Sequence, residues 1–369
     1  MATQTTAAEV DFASLRYVSL RLLWDCNLRC VMCDHPHRAR SEMPVDIAHR
    51  VLDQLTHPVR LTFIGGEPCL WLGRHPDVLA RAFAAGHAVH MITNGLLLHR
   101  VPQFVDAFRD RIVSVQISAD GYGATYERIR RRARWSRLVS AVRLLQARRA
   151  AGGNRRAVIT MGYLLMRSTL ADLPRFVQFC ADEGVDAVLL TYAVVYESMV
   201  ERGTITEDEA VYHWQAETND AVRRAEEVAR RTGVSLLVPT PLGEPGLAGR
   251  RWIGPPAENT APGRSMTPPD AAVPCQKPWK ELFVYQDGTI MPCCCGPTLG
   301  PALGSIRDDS LHDVWQGATI ARIRATMLAG VMPSECRCGI NIPTAGKLPE
   351  DRHFFTRLQR APARTDPTR

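Results

Sequence analysis

The sequence predicts an α/β protein built on a mostly parallel sheet, and three observations carry that expectation. Six near-continuous apolar, β-rich runs recur before residue 193, as in parallel sheets covered by helices. Amphipathic stretches at helical spacing separate them. Five of the six lead into a polar or glycine-bearing segment, "WDCN", "GGEP", "TNG", "ADG" and "MRS", and parallel α/β folds build their ligand sites from the loops at the carboxyl ends of strands. These five segments are therefore expected to converge on one mouth.

In order, the strand runs are "YVSLRLL" (17–23), "RLTFI" (60–64), "AVHMI" (88–92), "IVSVQIS" (112–118), "AVITMGYLL" (157–165) and "DAVLLTY" (186–192). Helical patterns between them include "VDIAHRVLDQL", "HPDVLARAFAAG", "VPQFVDAF" and "LADLPRFVQFCADEG", the last ending on a glycine that can cap it. A polar helix over 207–233 follows, and composition then shifts to a Pro- and Gly-rich stretch without sustained period, read as a linker over 236–274. A compact second unit is expected over 275–345, with a hairpin turning at Asp287-Gly288 and a helix beginning near Ser310. Residues 1–16 form an N-terminal segment and 346–369 a C-terminal tail whose end, "APARTDPTR", reads as disordered. Periodicity alone does not choose between a partial barrel and a doubly wound sheet.

Hydrophobic content of 46% and charged content of 22% suit an ordinary soluble protein, and 369 residues allow one large domain plus a smaller one. The N-terminus has no basic start followed by an apolar core, and no window reaches the roughly 18 apolar residues of a membrane span. A cytoplasmic location with no membrane partner is expected. Eleven cysteines in a reducing compartment, an odd number, point to metal ligation or catalysis rather than disulfides. The formal charge is +7, and arginines crowd residues 126–156. Trp135, Leu138, Val139, Val142 and Leu145 recur there at helical spacing, so the run reads as a solvated helix face. It lacks the interleaved stacking aromatics of a nucleic-acid surface. Any anion site would lie at the start of the run.

Cys26, Cys30 and Cys33 have the spacing C-x3-C-x2-C. Three thiolates on one tight loop can hold three irons of a [4Fe-4S] cluster and leave the fourth iron open for chemistry. A zinc site completed by His35 or His37, or incidental buried cysteines, are the alternatives.

With "CNLRCVMC" after the first strand, "GGEP" after the second and "SADG" after the fourth, the sequence resembles the radical S-adenosylmethionine (SAM) superfamily over most of its length. The resemblance implies a partial (β/α)6 TIM barrel over 17–235. It implies that Cys26, Cys30 and Cys33 ligate a [4Fe-4S] cluster whose unique iron is chelated by SAM. Gly65 and Gly66 would permit close approach to the ligand, and Glu67 with the carbonyls around Pro68 would receive its amino group. Ser118 and Asp120 would contact ribose or the methionyl part, and Arg130 would clamp the carboxylate. The residue before the third cysteine is usually aromatic in this family; Met32 stands there and is large enough to fill the same space.

Cys275 and Cys293 bracket the expected hairpin, and Cys336 and Cys338 follow in "PSECRCG". This resembles the SPASM extension, or its shortened twitch form, and implies four ligands for one auxiliary [4Fe-4S] cluster in a small C-terminal domain. The second pair is C-x-C rather than C-x2-C, Cys294 and Cys295 are surplus, and the longer array of a full SPASM domain is absent. A zinc site stays open here too.

Among relatives with such a domain, the aminocyclitol and sugar dehydrogenases suggest oxidation of a secondary alcohol to a ketone, with one electron passing to the auxiliary cluster. No G-x-G-x-x-G follows a strand to bind a nicotinamide. Arg167 is a candidate contact to a substrate hydroxyl or carboxylate, and Cys69 a candidate hydrogen-atom donor or a buried apolar residue; Cys180 reads as core. Epimerisation of a sugar or peptide, using a cysteine donor, is the alternative. Decarboxylation or carbon–carbon bond formation on a nucleotide sugar, and a catalytically idle metal scaffold, are others. With only residues 1–16 before the first strand, no N-terminal peptide-recognition domain is expected. The partners expected are a small-molecule substrate and a reductase such as flavodoxin or ferredoxin.

Overall fold

The computed structural model describes residues 10–33, 41–193, 195, 197–239, 241–242, 250–253, 276–293 and 302–329. Each of the six expected runs is a strand: β1 (Tyr17–Arg21), β2 (Arg60–Ile64), β3 (Ala88–Thr93), β4 (Val113–Ser118), β5 (Val158–Leu165) and β6 (Ala187–Tyr192). They pair in that order, all parallel. The helices between them are α1 (Val45–Asp53), α2 (Pro68–Leu72), α3 (Pro76–Ala84), α4 (Pro102–Asp106), α5 (Ala124–Ile129), α6 (Trp135–Gly152) and α7 (Leu173–Asp182), and α8 (Glu197–Glu201) follows β6. Proline stands in the first turn of α2, α3, α4 and α7, where a missing N–H costs nothing. Gly153 ends α6 in the left-handed conformation.

Three features depart from the sequence reading. A seventh parallel strand, β7 (Ser235–Pro239), crosses the boundary expected at 235, and β8 (Arg250–Ile253), inside the stretch read as linker, pairs antiparallel with it. The polar helix over 207–233 is two short 3-10 turns followed by α9 (Gln215–Thr232). Finally, the expected hairpin is present as β9 (Glu281–Val284) and β10 (Thr289–Met291), but β9 pairs parallel with β1. The hairpin thus extends the main sheet. With β11 (Gly304–Ser305) the eleven strands run β11-β10-β9-β1-β2-β3-β4-β5-β6-β7-β8. The helix capped by Ser310 breaks at Gly317 into α10 (Leu311–Gln316) and α11 (Ala318–Leu328). Gln316 Nε2 donates to the Val10 carbonyl at 2.8 Å, and Leu311 N donates to Gln54 Oε1 at 2.6 Å, so these helices seat on the N-terminal segment and the end of α1.

The two faces of the sheet differ. Val18, Leu20, Leu61, Phe63, Val89, Met91, Val115, Ile117, Ile159 and Met161 are buried against the helices in one core. The alternating positions Thr62, His90, Gln116, Ser118 and Thr160 are only half-buried. The strands are therefore apolar on one face and polar on the other, and the polar face lines the inside of the curved sheet. Among the described residues no helix is long and apolar enough to cross a membrane.

Candidate functional site

The loop after β1 is held by three other strand-end loops. From β2, Gly66 N donates to the Leu23 carbonyl at 2.7 Å and Glu67 N to the Asp25 carbonyl at 2.8 Å. Gly65 has φ +146°, and a Cβ there would lie 2.5 Å from the Leu23 oxygen, while a Cβ on Gly66 would overlap the Asp25 and Trp24 carbonyls. The sequence reading assigned these glycines to ligand approach; the close approach they make is to the cysteine loop. From β3, Asn94 Nδ2 donates to Asn27 Oδ1 at 2.8 Å and lies 3.8 Å from Cys26 Sγ. From beyond β4, the Arg131 and Ile129 carbonyls receive Arg29 N (3.1 Å) and Val31 N (3.0 Å). The segments expected to converge do converge, on Cys26, Cys30 and Cys33.

The loop also organises itself. Leu28 is buried, its N–H points at Cys26 Sγ at 3.4 Å, and Cys33 N donates to the Cys30 carbonyl at 3.2 Å. Burial pushes the Cys26 thiol up to about 11 and the Cys30 thiol up to about 12, with Arg130 partly offsetting the rise at Cys30. Such thiols ionise when a cation arrives to compensate the charge, and so fit the metal ligands the spacing implies. Among the described residues no three His, Cys, Asp or Glu side chains meet at one ion; His35 and His37 lie outside them. Val31 and Met32 pack against Ile129, Met166, Ala193, Val195 and Met199, so Met32 fills apolar space beside the loop.

Glu67 is bound into the protein on all sides the described residues show. It is fully buried and caps α2 by accepting Cys69 N at 3.1 Å, while Thr93 Oγ1 (2.6 Å) and Asn94 N (2.8 Å) donate to the same carboxyl. Burial raises its pKa against these donors. With three protein donors on it, the side chain ties the loops after β2 and β3 together. Pro68 opens α2 and is buried.

Asp120 and Arg130 form a buried pair, Oδ2 to Nη2 at 2.7 Å. The other Asp120 oxygen accepts Leu164 N at 2.7 Å, bridging β4's loop to β5, and Arg130 Nη1 lies 3.9 Å from Cys30 Sγ. Desolvation opposes both charges, and each favours the other's. The pair is thus a strut beside Cys30. Ser118, half-buried at the end of β4, stays on the polar inner face.

The remaining candidates separate. Arg167 follows Met166, which packs beside Val31 and Met32, and its guanidinium stacks over the Trp214 ring at 3.6 Å. Cys69 is fully buried with its thiol against Met91 and Thr93, and desolvation holds it well above the ordinary thiol range, as suits a core residue. Cys180 is buried in the core. Cys293, two residues beyond β10, is half-buried. Cys275, Cys294, Cys295, Cys336 and Cys338 lie outside the described residues.

Sequence reasoning named the "TNG" loop but missed Asn94 as a site residue; an Asn at a strand end before Gly95, which has φ +80°, was the available signal. It also missed Arg21. That guanidinium lies 4.4 Å from the Trp24 ring of the cysteine loop and 4.7 and 5.6 Å from Tyr285 and Phe283 of the hairpin. Arg21 joins the cysteine loop to the turn end of the hairpin.

Residues 25–191 match the family model described as the radical SAM superfamily, and residues 275–339 match one described as an iron-sulfur cluster-binding domain, SPASM. No curated protein matches. Among solved structures, Streptococcus suis SuiB bound to precursor peptide SuiA is 12% identical with a TM-score of 0.58, covering 84% of this chain and 66% of its own. SuiB bound to S-adenosylmethionine is 14% identical with a TM-score of 0.57, covering 84% and 67%. The anSMEcpe protein with bound AdoMet is 12% identical with a TM-score of 0.60, covering 85% and 81%. The chain spans about two thirds of the SuiB chains, and at these identities the likeness is one of fold.

Proposed function

We propose, for a chain that carries a radical SAM domain followed by a SPASM domain, that it oxidises a hydroxyl-bearing carbon of a sugar- or cyclitol-like substrate to a ketone. The observation that carries this reading is the pairing of β9 with β1. The hairpin is hydrogen-bonded beside the strand that runs into Cys26, Cys30 and Cys33, and because β10 returns antiparallel to β9, Cys293 stands toward the opposite end of β1 from that loop. When bound, SAM and the [4Fe-4S] cluster of those thiols supply a 5′-deoxyadenosyl radical on one-electron reduction, and an auxiliary cluster supplies a one-electron acceptor. Taking a CH–OH carbon to a ketone removes one hydrogen atom, one proton and one electron. An acceptor held by the SPASM domain, whose hairpin is laddered onto β1, balances that account.

The inner face of the sheet supports the substrate class. Ile92 of β3 and Thr160 of β5 flank Gln116 in register, and Thr62 pairs beside His90. The side chains of Thr62, Gln116, Ser118 and Thr160 offer neutral donors and acceptors, and burial holds the His90 imidazole neutral, pushed down to about 3. Hydroxyls are the natural complement. Cys69, on the buried face of α2 with its thiol against Met91 and Thr93, is poorly placed to return hydrogen to a substrate, which weighs against epimerisation.

A peptide side chain is the second reading. It rests on the shared fold with SuiB bound to a precursor peptide and anSMEcpe bound to a Cp18Cys peptide. Incubating the reconstituted enzyme with deuterated cyclitols and sugars, and reading deuterium in 5′-deoxyadenosine by mass spectrometry, separates the readings. Transfer with formation of a ketone supports the first; transfer only from peptides, or an inverted alcohol, overturns it.

A further inference from the structure

The arginine run divides into two halves. In the later half, Arg143 pairs with Glu183, Arg148 with Asp106 and Arg149 with Asp186. In the earlier half, Arg128 at the end of α5, Arg131 and Arg132 in the following turn, and Arg137 in the first turn of α6 are all exposed, and none makes an ion pair among the described residues. Arg134 between them is paired with Glu127. A solvated face explains the helical part of the later half, where Arg143, Arg148 and Arg149 each meet a carboxylate. It does not explain four unpaired like charges gathered on one turn, which repel one another.

That turn is bonded to the cysteine loop. The Arg131 and Ile129 carbonyls receive the backbone N–H groups of Arg29 and Val31, which flank Cys30. Arg29 is itself exposed and folds its guanidinium onto the Cys26 and Leu28 carbonyls, both at 2.8 Å, adding a fifth cation on the loop. Arg132 holds φ 75°, a left-handed conformation disfavoured for an arginine and found at no other described residue except glycine. The chain keeps an arginine where Gly or Asn would sit without strain.

We propose that Arg29, Arg128, Arg131, Arg132 and Arg137 form the docking surface for an acidic one-electron carrier protein. This rests on the cluster assignment of Cys26, Cys30 and Cys33. The partner is chosen by charge complementarity and by the position of the patch, continuous with the loop that must receive an electron. One electron leaves the carrier's reduced flavin or iron-sulfur centre and enters the cluster; the carrier is oxidised by one electron and the cluster reduced by one. A stretch of nucleic acid would meet the same charge but would have no use for its placement beside the cysteines.

The test uses the reconstituted full chain with reduced flavodoxin as the acidic carrier and dithionite as a small reductant that needs no docking. A variant carrying Arg128→Glu, Arg131→Glu, Arg132→Asn and Arg137→Glu is compared with one carrying Arg143→Glu and Arg148→Glu. Flavodoxin-driven 5′-deoxyadenosine formation should fall at least roughly tenfold in the first variant and little in the second, while dithionite-driven formation is unchanged. Calorimetric titration of flavodoxin onto the protein should weaken in parallel and show a steeper loss with salt in the wild type. Equal flavodoxin binding and turnover in the two variants would overturn the proposal, as would selective loss of RNA binding without loss of electron delivery. If the first variant loads less iron, binding to Arg131→Gln/Arg137→Gln decides: unchanged flavodoxin affinity there overturns the proposal. Failure of the dithionite reaction in wild type would instead contradict the cluster assignment.

Discussion

The two cysteine-bearing regions are built in opposite ways. The loop holding Cys26, Cys30 and Cys33 is bonded by backbone and side chain to the ends of β2 and β3 and to the turn beyond β4, and two glycines exist to let that packing happen. The hairpin leading to Cys293 is an addition to the sheet, joined along one edge to β1 and through Arg21 to Trp24. A loop fixed from three directions has one conformation, as a site that must leave one iron position free requires. A hairpin laddered onto an edge can be lengthened or trimmed while its partner strand stays put, which agrees with cysteine spacing that departs from the usual pattern.

The sharpest way to break this contrast is to place a methyl group in each region. Gly66→Ala puts a Cβ onto two carbonyls of the cysteine loop, and we expect a loss of more than about 3 kcal/mol of stability with failure to load the first cluster. Gly288→Ala, at φ +96° with only side-chain atoms at 3.2–3.3 Å, should cost about 1 kcal/mol by chemical denaturation. Equal losses would mean that the two regions are equally constrained.

Next comes Glu67→Gln. It keeps the shape of a side chain receiving three donors but removes its charge and forces an amide N–H toward one of them. A loss of about 1–3 kcal/mol is expected, with iron content falling because the loops after β2 and β3 loosen together. An unchanged melting temperature would show that the carboxyl is not the tie. Arg21→Lys keeps the charge but gives up the planar stack on Trp24 and Tyr285. The expected cost is about 1 kcal/mol, and the electron paramagnetic resonance signals of the two clusters should respond together; a change confined to one would mean that Arg21 does not couple the loop to the hairpin. Smallest in stability is Gln116→Ala on the inner face, expected within about 0.5 kcal/mol of wild type. Its effect should instead be a rise in KM for the substrate, and an unchanged KM would move substrate recognition off β4.

The strands were legible because their apolar, β-branched runs are bounded by glycine and polar residues, and the motif order told which loops would meet. What escaped was non-local. Nothing in "ELFV" says that it pairs with "YVSLR", since that contact spans more than two hundred residues and is decided by which edge is open. Glu67 and Arg130 were found as important positions, but whether a carboxyl or guanidinium faces a ligand or the protein depends on side-chain direction. For Glu67 the decisive partners, Thr93 and Asn94, lie on another strand end. Alternating burial of Thr62, His90 and Gln116 was visible in the runs themselves, once they are counted at every second residue rather than as continuous apolar stretches.

The most direct test is to purify the chain without oxygen, reconstitute it, and count iron and sulfide per chain beside 5′-deoxyadenosine formed under reduction. Wild type is compared with the Cys26→Ala/Cys30→Ala/Cys33→Ala variant. About eight irons, falling to about four with loss of SAM cleavage, is the expected result for two separately built clusters. About four irons in the wild type, all lost in the variant, would contradict it: the hairpin would then hold no cluster, and the oxidation proposed would lack its electron acceptor.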